Sequence, residues 1–274
     1  DFLTDSGTSA MSDMQRSAQE AAQQAYSGTN AWPKLDAVAR KIFGYKHNVL
    51  VHQGRAAEDI LCSGMIKKGQ YVFNNNFFDT TEGQVIAKGG IPINCASEIA
   101  YQPSIVSNFK GNMDIELLKQ KIQAVGAENV AFGMITITNN TAGGQPVSFE
   151  NIKKTAEVYH SFNIKFFIDA CRYAENCYFI QQKELGYKNK TILEIANEIF
   201  VLADGCTFSA KKEGLVNIGG LLCVRDDVLA SAFTGLQILN EGFPQYGGMA
   251  CRDLGAMAVG MEEAITQEYQ EDRF

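Results

Sequence analysis

Short runs rich in Val, Ile, Phe and Tyr alternate along the chain with stretches whose apolar residues recur every three or four positions. The runs Asn48–Val51, Gly69–Phe73, Val130–Thr138, Ile164–Ile168 and Gly220–Val224 predict strands. Between them, Asp114 opens a helix with Ile115, Leu117, Leu118 and Ile122 on its apolar side, Ser148 opens another, and Ile192–Phe200 makes a third. Strands alternating with helices predict an α/β fold with a mainly parallel sheet flanked by helices. From Arg252 to Phe274, Leu254, Met257, Met261, Ala264 and Ile265 share one helical face, and the pattern then stops without a cap. With a first residue that is not Met, this predicts a piece of a longer protein. The expected organisation is a large domain over 1–251 and, over 252–274, the start of a helix leading to a smaller carboxyl-terminal domain outside this chain.

Composition narrows the class. Of 274 residues, 46% are hydrophobic and 20% charged, and no apolar stretch approaches a membrane span. The net charge of -7 without a basic cluster argues against a nucleic-acid partner, because phosphate backbones are held by concentrated Lys and Arg. Seven cysteines without a C-x-x-C spacing predict reduced, buried thiols and a cytoplasmic location. His47, His52 and His160 have no metal-ligand spacing, so no zinc is expected.

Candidate chemistry lies where the runs end. The apolar run Lys165-Phe166-Phe167-Ile168 stops on Asp169, and 43 residues later Lys211-Lys212 follows Ser209-Ala210. Ligands collect beyond the carboxyl ends of parallel strands. A carboxylate there can keep a pyridine nitrogen protonated, and a partly desolvated lysine can form a Schiff base, so the pair suits pyridoxal phosphate. Taken singly, an acid ending a strand is ordinarily a cap, and a Lys-Lys pair is ordinarily a solvated surface. The turn His52-Gln53-Gly54-Arg55 lies between a strand and a helix. It offers free N–H groups, close backbone approach at Gly54 and a guanidinium at Arg55 to a phosphate, although Gly after a strand is also common turn chemistry. Asn74 to Thr81 places Phe78 where an aromatic ring can cover a cofactor. Ile137 to Pro146 ends a strand in amides, one of which can donate to a phenolic oxygen.

In combination these runs resemble the aromatic amino acid β-eliminating lyases, the tryptophanases and tyrosine phenol-lyases. The likeness also includes Ala142 to Ser148, Asp169 to Asn176 with Tyr178-Phe179-Ile180, and Glu241 to Gly248, and it extends over nearly all 274 residues. It implies an aspartate aminotransferase-like (type I) large domain, pyridoxal phosphate as cofactor, and a homotetramer with active sites at dimer interfaces. By position, Lys212 matches the Schiff base lysine, with Lys211 beside it. Asp169 matches the acid at the pyridine nitrogen, Arg172 and Asn140 the residues around the ring oxygen, and Phe78 the stacking ring. Gln53, Gly54, Arg55 and Ser209 match the phosphate cradle. Tyr26 matches a tyrosine implicated in proton transfer to the leaving group, Thr4 lies in the run near the substrate, and Asn140 and Asp79 complete that set. Arg55, Lys212, Tyr26 and Asp79 are the catalytic candidates.

The resemblance implies β-elimination of tryptophan to indole, pyruvate and ammonia. Phe77-Phe78-Asp79-Thr80-Thr81 is similar to tryptophanases, whereas tyrosine phenol-lyases typically have threonine at the position of Asp79. Glu213 to Gly220 looks closer to the phenol-lyase version. Tyrosine phenol-lyase, a threonine aldolase and a non-catalytic paralogue are the alternatives. The family binds potassium through a glutamate where this chain has Gln24. A neutral amide loses the favourable charge, which leaves Gly7 and Asn217 as the matching cation positions.

Overall fold

The computed structural model describes residues 6–7, 10–24 and 29–274. In chain order its helices and strands are α1 (Asp13–Ala21), α2 (Trp32–Phe43), β1 (His47–Val51), α3 (Gly54–Met65), β2 (Tyr71–Asn74), α4 (Asp79–Ala87) and β3 (Ile91–Asn94). Then follow α5 (Ile115–Val125), β4 (Val130–Thr136), α6 (Phe149–Ser161), β5 (Phe166–Asp169), α7 (Tyr173–Lys183) and α8 (Ile192–Phe200). The chain continues through β6 (Gly205–Ser209), α9 (Ala210–Glu213), β7 (Gly220–Val224), α10 (Asp227–Asn240), α11 (Cys251–Ala264) and α12 (Gln267–Arg273). This is the expected α/β architecture, a mixed and mostly parallel seven-stranded sheet flanked by helices.

The chain divides into two compact units, Asp1–Gly64 with Cys206–Phe274, and Met65–Gly205. In the second unit the strand order is β5-β4-β2-β3, every pair parallel. Its inner strands are almost wholly buried, as strands covered on both faces must be, and so read as continuous apolar runs. Asp114 and Ser148 cap their helices as expected, accepting from the N–H groups of Leu117 and Asn151. Thr191 does the same for α8 through a capping box with Glu194. The core of this unit closes on Tyr159, whose hydroxyl donates to the carbonyls of Phe73 (3.1 Å) and Met134 (3.4 Å). Burial raises its pKa well above the ordinary tyrosine value.

In the first unit the order is β1-β7-β6, with β1 antiparallel to β7. Phe43 of α2 packs on Phe208 of β6 with ring centres 5.4 Å apart. The segment 252–274, read as the start of one helix whose apolar face ends at Ile265, is divided between α11 and α12. Thr266 takes over as cap by accepting from the N–H of Tyr269, so the chain turns where the sequence suggested one helix. All seven cysteines are buried, and none forms a disulfide. No helix among the described residues is long and apolar enough to cross a membrane.

Candidate functional site

In the first unit the turn after β1 is fixed by backbone pairing. Gln53 bridges Gly219, the N–H of Gly219 donates to the carbonyl of His52 (2.6 Å), and α3 begins at Gly54 with Ala56 N–H donating to Gln53 (3.0 Å). The first N–H groups of α3 therefore face outward from a strand end, the arrangement that receives an anion. Ser209, at the end of β6, lies against this start. A β-carbon at Gly54 would fall 2.7 Å from the Cβ of Ser209, so only glycine fits there. One short helix later, Nζ of Lys212 donates to Oγ of Ser209 at 3.3 Å. Gly54, Ser209 and Lys212, 158 residues apart in sequence at their extremes, are thus neighbours, while Arg55 is exposed beside them and Gln53 half-buried.

The turn that follows Lys212 is held from behind by a residue the sequence did not single out. Gln15 is fully buried, and its Nε2 donates to the carbonyls of Gly214 (3.3 Å), Leu215 (3.0 Å) and Ala256 (3.1 Å). Leu215 sits at φ 53°, a backbone region that L-residues occupy at a cost and that surrounding bonds must hold in place. The Ser12-x-x-Gln15 capping-box pattern was the available signal for Gln15, but it says nothing of a reach of 199 residues.

In the second unit β5 delivers Asp169, 6% exposed, to the strand end, where its Oδ1 accepts from the N–H of Cys171 (3.2 Å). Ile137 donates its N–H to Asp169 and accepts from the N–H of Arg172, so β4 and β5 stay joined beyond the end of β4 at Thr136. Arg172 then donates through Nη1 to Oδ1 of Asn140 at 2.9 Å, which brings together two residues predicted to share one role. With its oxygen occupied, Asn140 presents its Nδ2 hydrogens as donors. Phe78 is half-buried and precedes α4; Asp79 is the first residue of that helix and exposed, where a carboxylate also favours the helix dipole. Thr141 donates to the carbonyl of Phe77 at 2.7 Å, tying the Asn140 loop to the Phe77–Phe78 segment. Thr4 and Tyr26 lie outside the described residues.

Two observations test the fit of pyridoxal phosphate. In the first unit, Gly54 and Ser209 form a cradle that a β-carbon would fill, beside a lysine. In the second, Nδ2 of Asn76 and Oγ1 of Thr138 are buried with no hydrogen-bond partner among the described residues, near the strand ends that carry Asn140, and are open to a polar ligand. The residues present fit the group. The cation positions are less well supplied. Asn217 is exposed with Nδ2 3.5 Å from the carbonyl of Gly7, and Oε1 of Gln24 accepts from the N–H of Cys251 at 2.9 Å. Among the described residues no group of three or more His, Cys, Asp or Glu side chains is arranged for a metal.

The fold is that of the aspartate aminotransferase type. A putative L-allo-threonine aldolase from Listeria monocytogenes superposes with a TM-score of 0.67 at 16% identity over 93% of this chain and 66% of its own. A serine palmitoyltransferase from Sphingomonas wittichii gives 0.67 at 10% identity over 96% and 61%. The family model described as beta-eliminating lyase matches residues 1–273, and the chain belongs to that family. A tyrosine phenol-lyase from Fusobacterium nucleatum is 46% identical over 98% of this chain and 58% of its own length. A tryptophanase from Hyphomonas neptunium is 44% identical over 98% and 59%. The chain therefore spans about three fifths of the length of these relatives.

Proposed function

We propose that the protein of which this chain is part is a pyridoxal phosphate-dependent carbon–carbon lyase that eliminates the side chain of L-tryptophan, with water, to give indole, pyruvate and ammonia. The observation that carries the proposal is the close approach of Gly54, Ser209 and Lys212 at a helix start, a phosphate cradle with an amine beside it. When bound, the cofactor supplies the electron-withdrawing ring that stabilises negative charge at the α carbon.

The roles of the chain's own groups follow from their chemistry. The N–H groups at the start of α3, with Gln53, Arg55 and the Ser209 hydroxyl, bind the phosphate. The Asp169 carboxylate holds the proton on the pyridine nitrogen, Phe78 covers the ring, and Asn140, oriented by Arg172, donates to the phenolic oxygen. The amine of Lys212 carries the cofactor and then removes the α proton. Asp79 accepts the indole N–H, and Tyr26 moves the proton to the leaving group. The working assembly in this proposal is a cytoplasmic homotetramer. A potassium ion at the Gly7 carbonyl and Asn217 is included; equal activity in potassium and sodium buffers would remove it.

Tyrosine is the competing substrate, favoured by the relatives named tyrosine phenol-lyase at 44 and 46% identity. Assay of indole, phenol and pyruvate from each amino acid decides between them. Release of phenol from tyrosine without indole from tryptophan reverses the substrate assignment. The lyase proposal itself requires a visible absorbance band on cofactor addition that is lost in Lys212→Ala; a wild-type protein without one overturns it and leaves a non-catalytic paralogue.

A further inference from the structure

The run from Glu241 to Gly248 has no part in the chemistry above, yet it is built tightly onto β1. Gly247 and Gly248, at φ 52° and 75°, pass so close to the carbonyls of Leu50 and Glu241 that neither has room for a side chain. Gln237, one turn before Glu241, donates to the same Leu50 carbonyl at 2.7 Å. The loop thereby fixes Glu241 opposite the end of β1. Its carboxylate is only 6% exposed, and one oxygen, Oε2, accepts from both the backbone N–H (2.8 Å) and Nδ1 (2.5 Å) of His52. Burying a carboxylate is costly unless hydrogen bonds replace its water, and here these two donors belong to one residue.

His52 passes the constraint on. Nδ1 faces a carboxylate that can only accept, so Nδ1 donates; in the tautomer that carries its hydrogen there, Nε2 accepts, and Nε2 of Gln53 lies 2.8 Å from it. One hydrogen of the Gln53 amide is engaged, so the amide is held with its second hydrogen available to an anion.

We propose that Glu241 is a positioning residue which, through His52, orients the Gln53 amide toward the cofactor phosphate; this rests on the cofactor reading above. A role confined to packing α10 against β1 would weaken cofactors with and without a phosphate alike, whereas orientation of Gln53 acts on the phosphate alone.

Absorbance titrations with pyridoxal phosphate and with pyridoxal distinguish the two. Glu241→Ala is expected to weaken pyridoxal phosphate by about tenfold, the equivalent of one charge-assisted hydrogen bond, and to leave pyridoxal unchanged. Glu241→Gln, which keeps an accepting oxygen, should restore most of the difference. If Glu241→Ala does not fold, His52→Phe, which keeps the ring volume at a partly exposed position, must show the same phosphate-selective loss. Equal weakening of both ligands, or no weakening of either, overturns the inference while the cofactor reading stands. A wild-type protein that binds neither overturns both.

Discussion

The backbone of Gly54 passes Ser209 so closely that a β-carbon on Gly54 would lie 2.7 Å from the Cβ of Ser209. Neither residue can yield easily, since Gly54 opens α3 and Ser209 ends β6. Gly54→Ala should therefore push the α3 start away from the serine hydroxyl. Overpacking of this kind costs roughly 1–3 kcal/mol, and a cofactor titration should read about a tenfold or greater loss of pyridoxal phosphate affinity. In Gly54→Ala with Ser209→Gly the tightest contact is removed, the Cα of residue 209 staying at 3.2 Å, and the hydroxyl is lost with it. Thermal stability should recover while phosphate affinity does not. Recovery of both would mean that Ser209 has no part in the cradle.

Gln15 acts at a distance on the same region. Its amide replaces water for the carbonyls of Gly214, Leu215 and Ala256 behind the Lys212 turn. Gln15→Leu keeps the volume and takes this donor from the Gly214 and Leu215 carbonyls, while Ala256 lies within α11 and keeps its helical bond. The loss should cost about 2–3 kcal/mol, read as a lower denaturant midpoint at constant slope. Gln15→Glu offers oxygen where a donor is needed and should be no better. An unfolding free energy within about 0.5 kcal/mol of wild type would show that the carbonyls find other partners.

Much of this was legible in sequence because the physics is local. The strand ending at Asp169 is apolar on both sides, and Asp114 and Ser148 are caps whose bonds close within three residues. Two strands escaped for opposite reasons. β3, Ile91–Asn94, is a half-exposed edge strand containing a proline, and β6, Gly205–Ser209, is buried but built of Gly, Cys, Thr, Phe and Ser. The pairing of Arg172 with Asn140 is compatible with their matching positions, yet only the strand ends at β4 and β5 bring them within 2.9 Å. Contacts such as Gln15 to Gly214 and Glu241 to His52 span 199 and 189 residues and leave no periodic trace. The break at Thr266 was missed because the apolar face continues to Ile265, masking a cap one residue later.

Asp204 supplies a pH-dependent part of stability in the second unit. Burial opposes its charged form, but the N–H of Phe166 and the side chains of Lys165 and His160 outweigh that and hold its pKa below the usual carboxylate value. A carboxyl depressed in the folded state stabilises it above the unfolded pKa, and the contribution drains away as pH falls through the folded one. Asp204→Asn should thus cost roughly 1–2 kcal/mol near neutral pH. The gap to wild type should close progressively below about pH 4. Chemical denaturation at pH 7, 5 and 3 measures it, and a gap independent of pH would assign the effect to packing.

Asp79 is the residue on which the proposed choice of substrate turns. It is exposed at the first position of α4, so replacing it disturbs no buried contact, and any change in activity reports on the reaction. A carboxylate there can accept the indole N–H and assist proton movement at the ring, whereas the phenol of tyrosine offers only a hydroxyl that threonine can serve as well. Asp79→Thr should lower kcat/KM for tryptophan by about 100-fold or more, in the range of a lost general acid–base group, while changing that for tyrosine far less. Because losing the favourable charge at the helix start costs at most about 1 kcal/mol, thermal stability should hardly move. Parallel loss on both substrates would assign Asp79 a step common to them and leave specificity to another residue. Unchanged kinetics on both would reduce it to a helix-start acid.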